Sequence, residues 1–352
     1  MCAIIYNSGR RIQATQADFD GTPAVSGGWK EIGRTTLGSA GDDITVSSLD
    51  DKRYYMMLFS SNNSTGRTGH NWRFNGDTGT NYAYRRGRDG SEAASGSKTS
   101  ITWGESVSAG WDNDFSVNYV SNLSSKEKLA LGHCVHSQST GAGTTPNRTE
   151  AVGKWANTSD AINSITAHNP EAGSFGSGDE VVVLEFSPDD SHTTNFWEEL
   201  ASVDLSGGES DEISSGTITA KKYLWVQYYR EASGVIGGTM QFNDDTGSNY
   251  AVRYSNAGGG DSAYGSQSNI ELRYQTTDTF GNMFIINNSA NEKLVIMHEM
   301  YAGASGAGVI PNRTERVGKW ANTSDQITKI DINNDQAGNF GTKTMMKVWG
   351  SN

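Results

Sequence analysis

Hydrophobic residues in this chain fall in short runs parted by turns rich in Gly, Ser, Asn and Asp, and no window keeps helical spacing. The near-continuous apolar runs Tyr54–Phe59 and Tyr223–Tyr228 predict central strands covered on both faces. Alternation predicts strands at Ile165–Ala167 and Ile330–Ile332, and the last strands at Val181–Leu184 and Met345–Trp349. WRFNGDTGTNYAYR (Trp72–Arg85) and MQFNDDTGSNYAVR (Met240–Arg253) each read as a hairpin around a turn of Asn, Asp and Gly. Along the first, Trp72, Phe74, Tyr82 and Tyr84 share parity and line one face; Met240, Phe242, Tyr250 and Val252 repeat it. Trp197–Leu205 alone passes for a helix. Its counterpart Trp29–Leu37 carries Gly33 and Thr35-Thr36, so both are expected to be strands.

These elements come twice. VGKWANTSD at Val152–Asp160 returns unchanged at Val317–Asp325, and PNRTE at Pro146–Glu150 returns at Pro311–Glu315, about 165 residues further on. A unit of that size buries its own core, so the chain reads as tandem domains rather than a solenoid. The boundaries expected are an N-terminal arm over 1–28, a first repeat over 29–188, a linker over 189–196 and a second repeat over 197–352. About eight strands per repeat, without crossover helices, make the fold class all-β: two tandem antiparallel β-sandwich domains, jelly-roll-like. The copies diverge most in Gly87–Gly110 and Ala257–Thr279, which read as long solvent-facing loops.

Composition supports this picture. The chain has 42 Gly but 5 Pro, 9 Trp and 14 Tyr, and 35% hydrophobic residues, which suits short strands and many turns. A net charge of −12 speaks against nucleic acid and against anionic lipid as partners. Cys2 and Cys134 make a framework disulfide unexpected, and no apolar stretch has the length of a bilayer span. The opening MCAIIYNSGRR has too short an apolar core for a secretory leader. The triplets at Asn157 and Asn322 are taken as coincidental matches to a glycosylation signal.

Candidate chemistry is sparse. Trp155 and Trp320, with Phe74 and Phe242, have core parity and are expected to pack inside the repeats. Arg148, Glu150 and Lys154 share the other face, as do Arg313, Glu315 and Lys319, and read as a solvated strip of ion pairs. Asp77 and Asp245 read as tight-turn residues rather than Ca²⁺ ligands, since the loop lacks the carboxylate count of a dedicated site. His133 and His136, three apart on a strand, face opposite sides, and Tyr301 replaces His136 in the second copy; no zinc site is expected. No nucleophile elbow, phosphate loop or zincin helix is present, so neither enzyme activity nor a cofactor is expected. Trp103 and Trp111, in the divergent segment, are the candidate glycan-facing residues. In the arm, Ile4, Ile5 and Tyr6 form a candidate edge strand that adds to a neighbour's sheet, with Arg10 and Arg11 docking on an acidic partner.

The words FNGDTGTNYAYR and FNDDTGSNYAVR, the NEKL corner and GKWANTSDQITKI together resemble a module of bacteriophage structural proteins of the head-decoration and tail-fibre type. The resemblance covers both repeats and excludes the arm. It implies a jelly-roll sandwich, a virion location after synthesis in the host cytoplasm, no cofactor, and partners among capsid or tail proteins or the chain itself as a homo-oligomer. The absence of heptads and shaft-forming repeats favours a compact subunit. The alternative is a carbohydrate-binding, lectin-like adhesin that uses the divergent loops on surface glycans.

Overall fold

The duplication is plain in the strand order. A computed structural model describes residues 28–62, 66, 68–104, 113–187, 194–303 and 307–352, with the backbone of strands Ile4–Asn7 and Arg10–Gln13. Every regular element among the described residues is a β-strand. The first repeat builds a large antiparallel sheet in the order Lys30–Thr36, Glu180–Phe186, Tyr54–Ser61, Asn113–Ser121, Lys128–Ser137, Asn147–Trp155, Tyr82–Arg88, Ser91–Lys98. A small sheet, Asp43–Ser47, Ser164–His168, His70–Phe74, Ile101–Gly104, closes over its inner face. The second repeat does the same with Glu198–Asp204, Met345–Ser351, Tyr223–Arg230, Thr279–Ile286, Lys293–Tyr301, Asn312–Trp320, Tyr250–Asn256, Ser262–Gln267. Its small sheet is Glu212–Ser214, Ile330–Asn333, Ile236–Phe242, Ile270–Gln275. Registers agree between copies: Lys128 pairs Trp155, and Lys293 pairs Trp320. The protein is therefore two tandem antiparallel β-sandwiches, jelly-roll-like in design.

Each sandwich has sheets of eight and four strands, more than the eight expected. The surplus comes from the segments read as loops. Ser91–Lys98 is almost devoid of apolar side chains and mostly exposed, yet it pairs with Tyr82–Arg88. The link is Asp89-Gly90, with φ of 47° and 82°, the double positive φ of a two-residue hairpin turn whose twist matches the strands it joins. Turn chemistry and backbone pairing, rather than burial, make this edge strand.

The hairpins expected at Trp72–Arg85 and Met240–Arg253 are arches. His70–Phe74 lies in the small sheet and Tyr82–Arg88 in the large one, so the turn carries the chain across the core. Parity could not tell these apart, because two facing sheets send their alternate side chains into one core as readily as one sheet does. The arch is tied by its own side chains. Tyr82 hydroxyl accepts from Phe74 N at 3.0 Å, and Asp77 accepts from Gly79 N at 2.7 Å and Asn81 Nδ2 at 2.9 Å. Asp77 also accepts from Trp155 Nε1 at 2.7 Å, clamping the arch to the repeated word VGKWANTSD. The second copy reproduces the clamp with Trp320 Nε1 donating to Asp245 at 2.7 Å.

Trp155 and Trp320 are buried beside Phe74 and Phe242, with ring centroids 5.9 Å apart in both copies. Lys128 and Lys293 lie 5.4 Å and 5.6 Å over those indoles, and their ammonium groups donate to the Asn157 and Asn322 carbonyls. The turn that follows is held by Asn157 Oδ1, which accepts from Ser159 N and Asp160 N, as Asn322 does in its copy.

Trp155→Ala and Trp320→Ala should each destabilise their own sandwich by about 3–5 kcal/mol in urea unfolding. Asp77→Ala, which leaves the indole N–H unpaired, should cost about 1–3 kcal/mol. A Trp155→Ala protein that unfolds at the parental midpoint would remove the clamp from the account of stability.

Candidate functional site

The residues singled out in the sequence part ways in the structure. Trp103 does not stand at a glycan-facing edge: it is fully buried in the first core, its indole nitrogen against Gly132, where a Cβ would lie 2.6 Å away. Trp111 lies outside the described residues. In the arm, Ile4–Asn7 pairs with Arg10–Gln13, Ile5 opposite Ile12 and Tyr6 opposite Arg11. The expected lone edge strand, with Ile4, Ile5 and Tyr6, thus forms a ladder with the segment carrying Arg10 and Arg11; residues 14–27 lie outside the described residues.

What sequence reasoning missed is the joint between the repeats. The outer faces of the two large sheets pack on each other and make a third apolar core. Met56, Leu58, Phe115, Val135 and Val182 come from the first repeat, and Trp197, Phe284, Leu294, Ile296 and Val317 from the second. Tyr54–Phe59 is apolar throughout because one face looks into its own sandwich and the other into this joint. Its counterpart Tyr223–Arg230 is only partly covered on the outer face. Burial on this scale is the main favourable term in association.

Ion pairs ring the joint. Arg148, expected in a solvated strip, is buried and its guanidinium meets Asp261 of the other repeat at 2.6 Å and Glu150 at 2.5 Å. Glu180 accepts from Lys222 Nζ at 2.8 Å and Tyr223 hydroxyl at 2.6 Å. Burial alone would raise the Glu180 carboxyl, but these two donors hold it below the ordinary carboxylate range. Lys319 is buried and donates to Glu292 at 3.1 Å and to the Ser139 carbonyl at 2.9 Å, whereas the equivalent Lys154 is half-exposed with Glu127 at 2.9 Å.

Also between the repeats, His133 and His298 meet edge to face, ring centroids 4.0 Å apart, with Glu150 within ligand reach of both. The parity reading placed His133 and His136 on opposite sides, and the structure does so: His133 faces the second repeat and His136 the first core. Burial, with Arg148 and Arg313 nearby, pushes the His298 imidazole down to about 4. Burial, His298 and Arg148 lower His133 well below its ordinary value. Glu150 is raised by burial in spite of Arg148.

A second constellation lies inside the first repeat. Asp114 stands between His70 Nδ1 at 2.7 Å and His136 Nδ1 at 3.0 Å, all three buried, with Cys134 Sγ 3.5 Å from His70 Nε2. Burial opposes the Asp114 charge, but His136 and His70 hold its carboxyl far below the ordinary range. Imidazole and carboxylate donors are of the kind zinc takes. As placed, one carboxylate oxygen is hydrogen-bonded to His70 Nδ1 and the other lies 3.0 Å from His136 Nδ1. The equivalent end of the second repeat is likewise built round one buried carboxylate. There Arg230 donates to Glu299 at 3.0 Å and Arg316 at 2.6 Å, with Tyr228 at 2.9 Å. His70 and Asp114 were invisible beside the HCVH word because they lie on two other strands. Comparing buried positions between the copies would have found them.

No family model and no curated protein matches the chain. Among solved structures it is similar to mouse laminin alpha1 chain domains LG4-5, with 8% identity over 92% of this chain and 91% of that one, at TM-score 0.20. It is also similar to Ail, the attachment invasion locus protein of Yersinia pestis, at 7% identity over 77% and 98%, with TM-score 0.11. An outer membrane channel from Pseudomonas putida F1 gives 10% identity over 82% and 97%, with TM-score 0.13. Likeness at these scores carries no argument about this chain.

The joint should be acid-sensitive. A histidine held near 4 when folded and 6.5 when free leaves the unfolded state with more bound protons between those values. The contribution of His298 is therefore full above pH 6.5 and is lost as pH falls toward about 4, by roughly 1–3 kcal/mol. In urea unfolding at about pH 7 and about pH 4.5, a His133→Gln, His298→Gln double variant should lose less stability than the parent. Equal losses in both proteins would assign the sensitivity to carboxylates instead.

Proposed function

We propose that this protein is a non-enzymatic structural protein of a bacteriophage virion surface, a capsid decoration or a head-fibre or tail-fibre component. It is made in the host cytoplasm and assembles through protein–protein contacts with capsid or tail proteins or with itself. The observation that supports this most is the joint between the repeats. The chain commits much of its largest sheet faces to apolar contact between sandwiches, lined with aromatic residues and ringed by charge pairs, the anatomy of a stable protein interface. The sequence words that resemble phage structural modules are what favours a virion location. The glycan-binding alternative loses one of its two tryptophans, since Trp103 is buried in the core.

Purified particles from the source should contain the chain at a fixed ratio to the major shell or tail protein, measured by mass spectrometry. Imaging should show sandwich-sized density at symmetry-related positions. A chain abundant in lysates yet absent from washed particles would sink the proposal. Saturable glycan binding by the isolated chain would move it to the lectin class.

A further inference from the structure

Three outward-facing side chains of the first large sheet break the expectation that a solvated sheet face is polar. Leu129, Leu131 and Val152 are 58%, 51% and 52% exposed. They form one patch: Leu131 and Val152 are direct cross-strand partners, and Leu129 is two residues along the same face. In the second repeat, where the ladder has the same register, these positions are Leu294, Ile296 and Val317, at 0%, 5% and 1% exposure. The difference is the first repeat itself, whose Phe115 and Val135 share an apolar cluster with them. One surface is thus an interface in one copy and open in the other.

The covering face also exists twice. Phe115 and Val135 are cross-strand partners, and the equivalent pair in the second repeat is Phe280 and Met300. These remain apolar and are 44% and 42% exposed, with Ile310 nearby in sequence at 84%. Ile310 stands where the first repeat has Thr145, so the unused copy of this face is the more apolar at that point.

We propose that the Leu129, Leu131 and Val152 face docks a second copy of this chain, through the Phe280, Met300 and Ile310 face of that copy's second repeat. This deepens the structural-protein reading, on which its purpose rests, by naming the chain as its own partner. A sandwich of this kind is what the structure shows seated on the equivalent surface, and both complementary faces stand exposed among the described residues. The contact between chains is smaller than the one within the chain, because Leu58, Val117 and Val182 of the covering face become Gln227, Asn282 and Lys347. Reversible, concentration-dependent association follows, rather than an obligate dimer. Since the two faces differ, the contact is heterologous and adds chains into a ring or a row.

Sedimentation of the purified full-length chain over a concentration series tests this. The parent should associate as concentration rises, while Leu131→Asp and Ile310→Asp each stay monomeric. Mixed in equal amounts, the two variants should give a dimer and nothing larger, because each supplies the face the other lacks. Both sites are exposed, so thermal melts matching the parent confirm that the variants are folded. A parent that is monomeric throughout, or a mixture that stays monomeric, overturns the proposal. So does a chain lacking residues 1–27 that associates when the full chain does not, for the arm would then be the occupant. Particles that carry a monomeric chain would keep the structural reading while sinking this one. An associating chain absent from particles would do the reverse.

Discussion

The bond from Trp155 Nε1 to Asp77 fixes three things at once. It joins a strand of the large sheet to the arch that leads out of the small one, so it sets how the two layers face each other. It satisfies the one polar atom of a large buried ring, which would otherwise cost on the order of 1–3 kcal/mol. It also orders a carboxylate that has two further partners, Gly79 N and Asn81 Nδ2, within the arch. The rise that burial alone would cause in that carboxyl is outweighed by the bonds from Trp155, Asn81 and Gly79 N, which hold it below the ordinary carboxylate range. Trp320 and Asp245 repeat every part of this. Words that recur unchanged in copies that otherwise drift are thereby explained by one geometric requirement rather than by a ligand.

The same words do not have the same surroundings. GKW occurs in both copies, yet Lys154 is a surface residue and Lys319 is sealed under the Ser137–Gly141 segment. Face-to-face packing of two like sheets does not force this, for a twofold arrangement would cover equivalent residues alike. The pairing is asymmetric: the first repeat contributes Phe115 and Val135, the second Leu294 and Val317. The two copies therefore differ in exposure at positions a sequence alignment treats as the same, and the change from Leu58 and Val182 to Gln227 and Lys347 goes with that difference.

The sequence made the all-β class, the duplication and the core role of Trp155 and Trp320 legible, because period-two patterning and repeated words depend on local rules. It misjudged the strand count because Ser91–Lys98 is held by a turn and a ladder, with no apolar stripe to betray it. It took arches for hairpins because facing sheets and a single sheet give the same parity. The inter-repeat joint was illegible for a related reason. Arg148 and Glu150 look like any solvated ion pair until Asp261, more than a hundred residues away, is placed beside them. Trp103 misled because a tryptophan in a divergent segment resembles a binding platform, while the space that holds it is made by Gly132 on another strand.

The buried clusters show how far two copies can drift under one constraint. At the equivalent end of each core sits one carboxylate, Asp114 in the first repeat and Glu299 in the second, on neighbouring strands of the ladder. Each has two partners able to carry positive charge, imidazoles in one case and guanidiniums in the other. Removing a single partner leaves an uncompensated buried charge, commonly costing about 3–5 kcal/mol, so such sets change together or not at all. Volume is coupled to charge as well. Gly238, which stands where the first repeat has His70, is what makes room for Arg230: a Cβ there would lie 2.4 Å from the Arg230 guanidinium. The two states are therefore separated by several concerted substitutions of charge and volume together. The difference resides in the core rather than on the face that meets a partner.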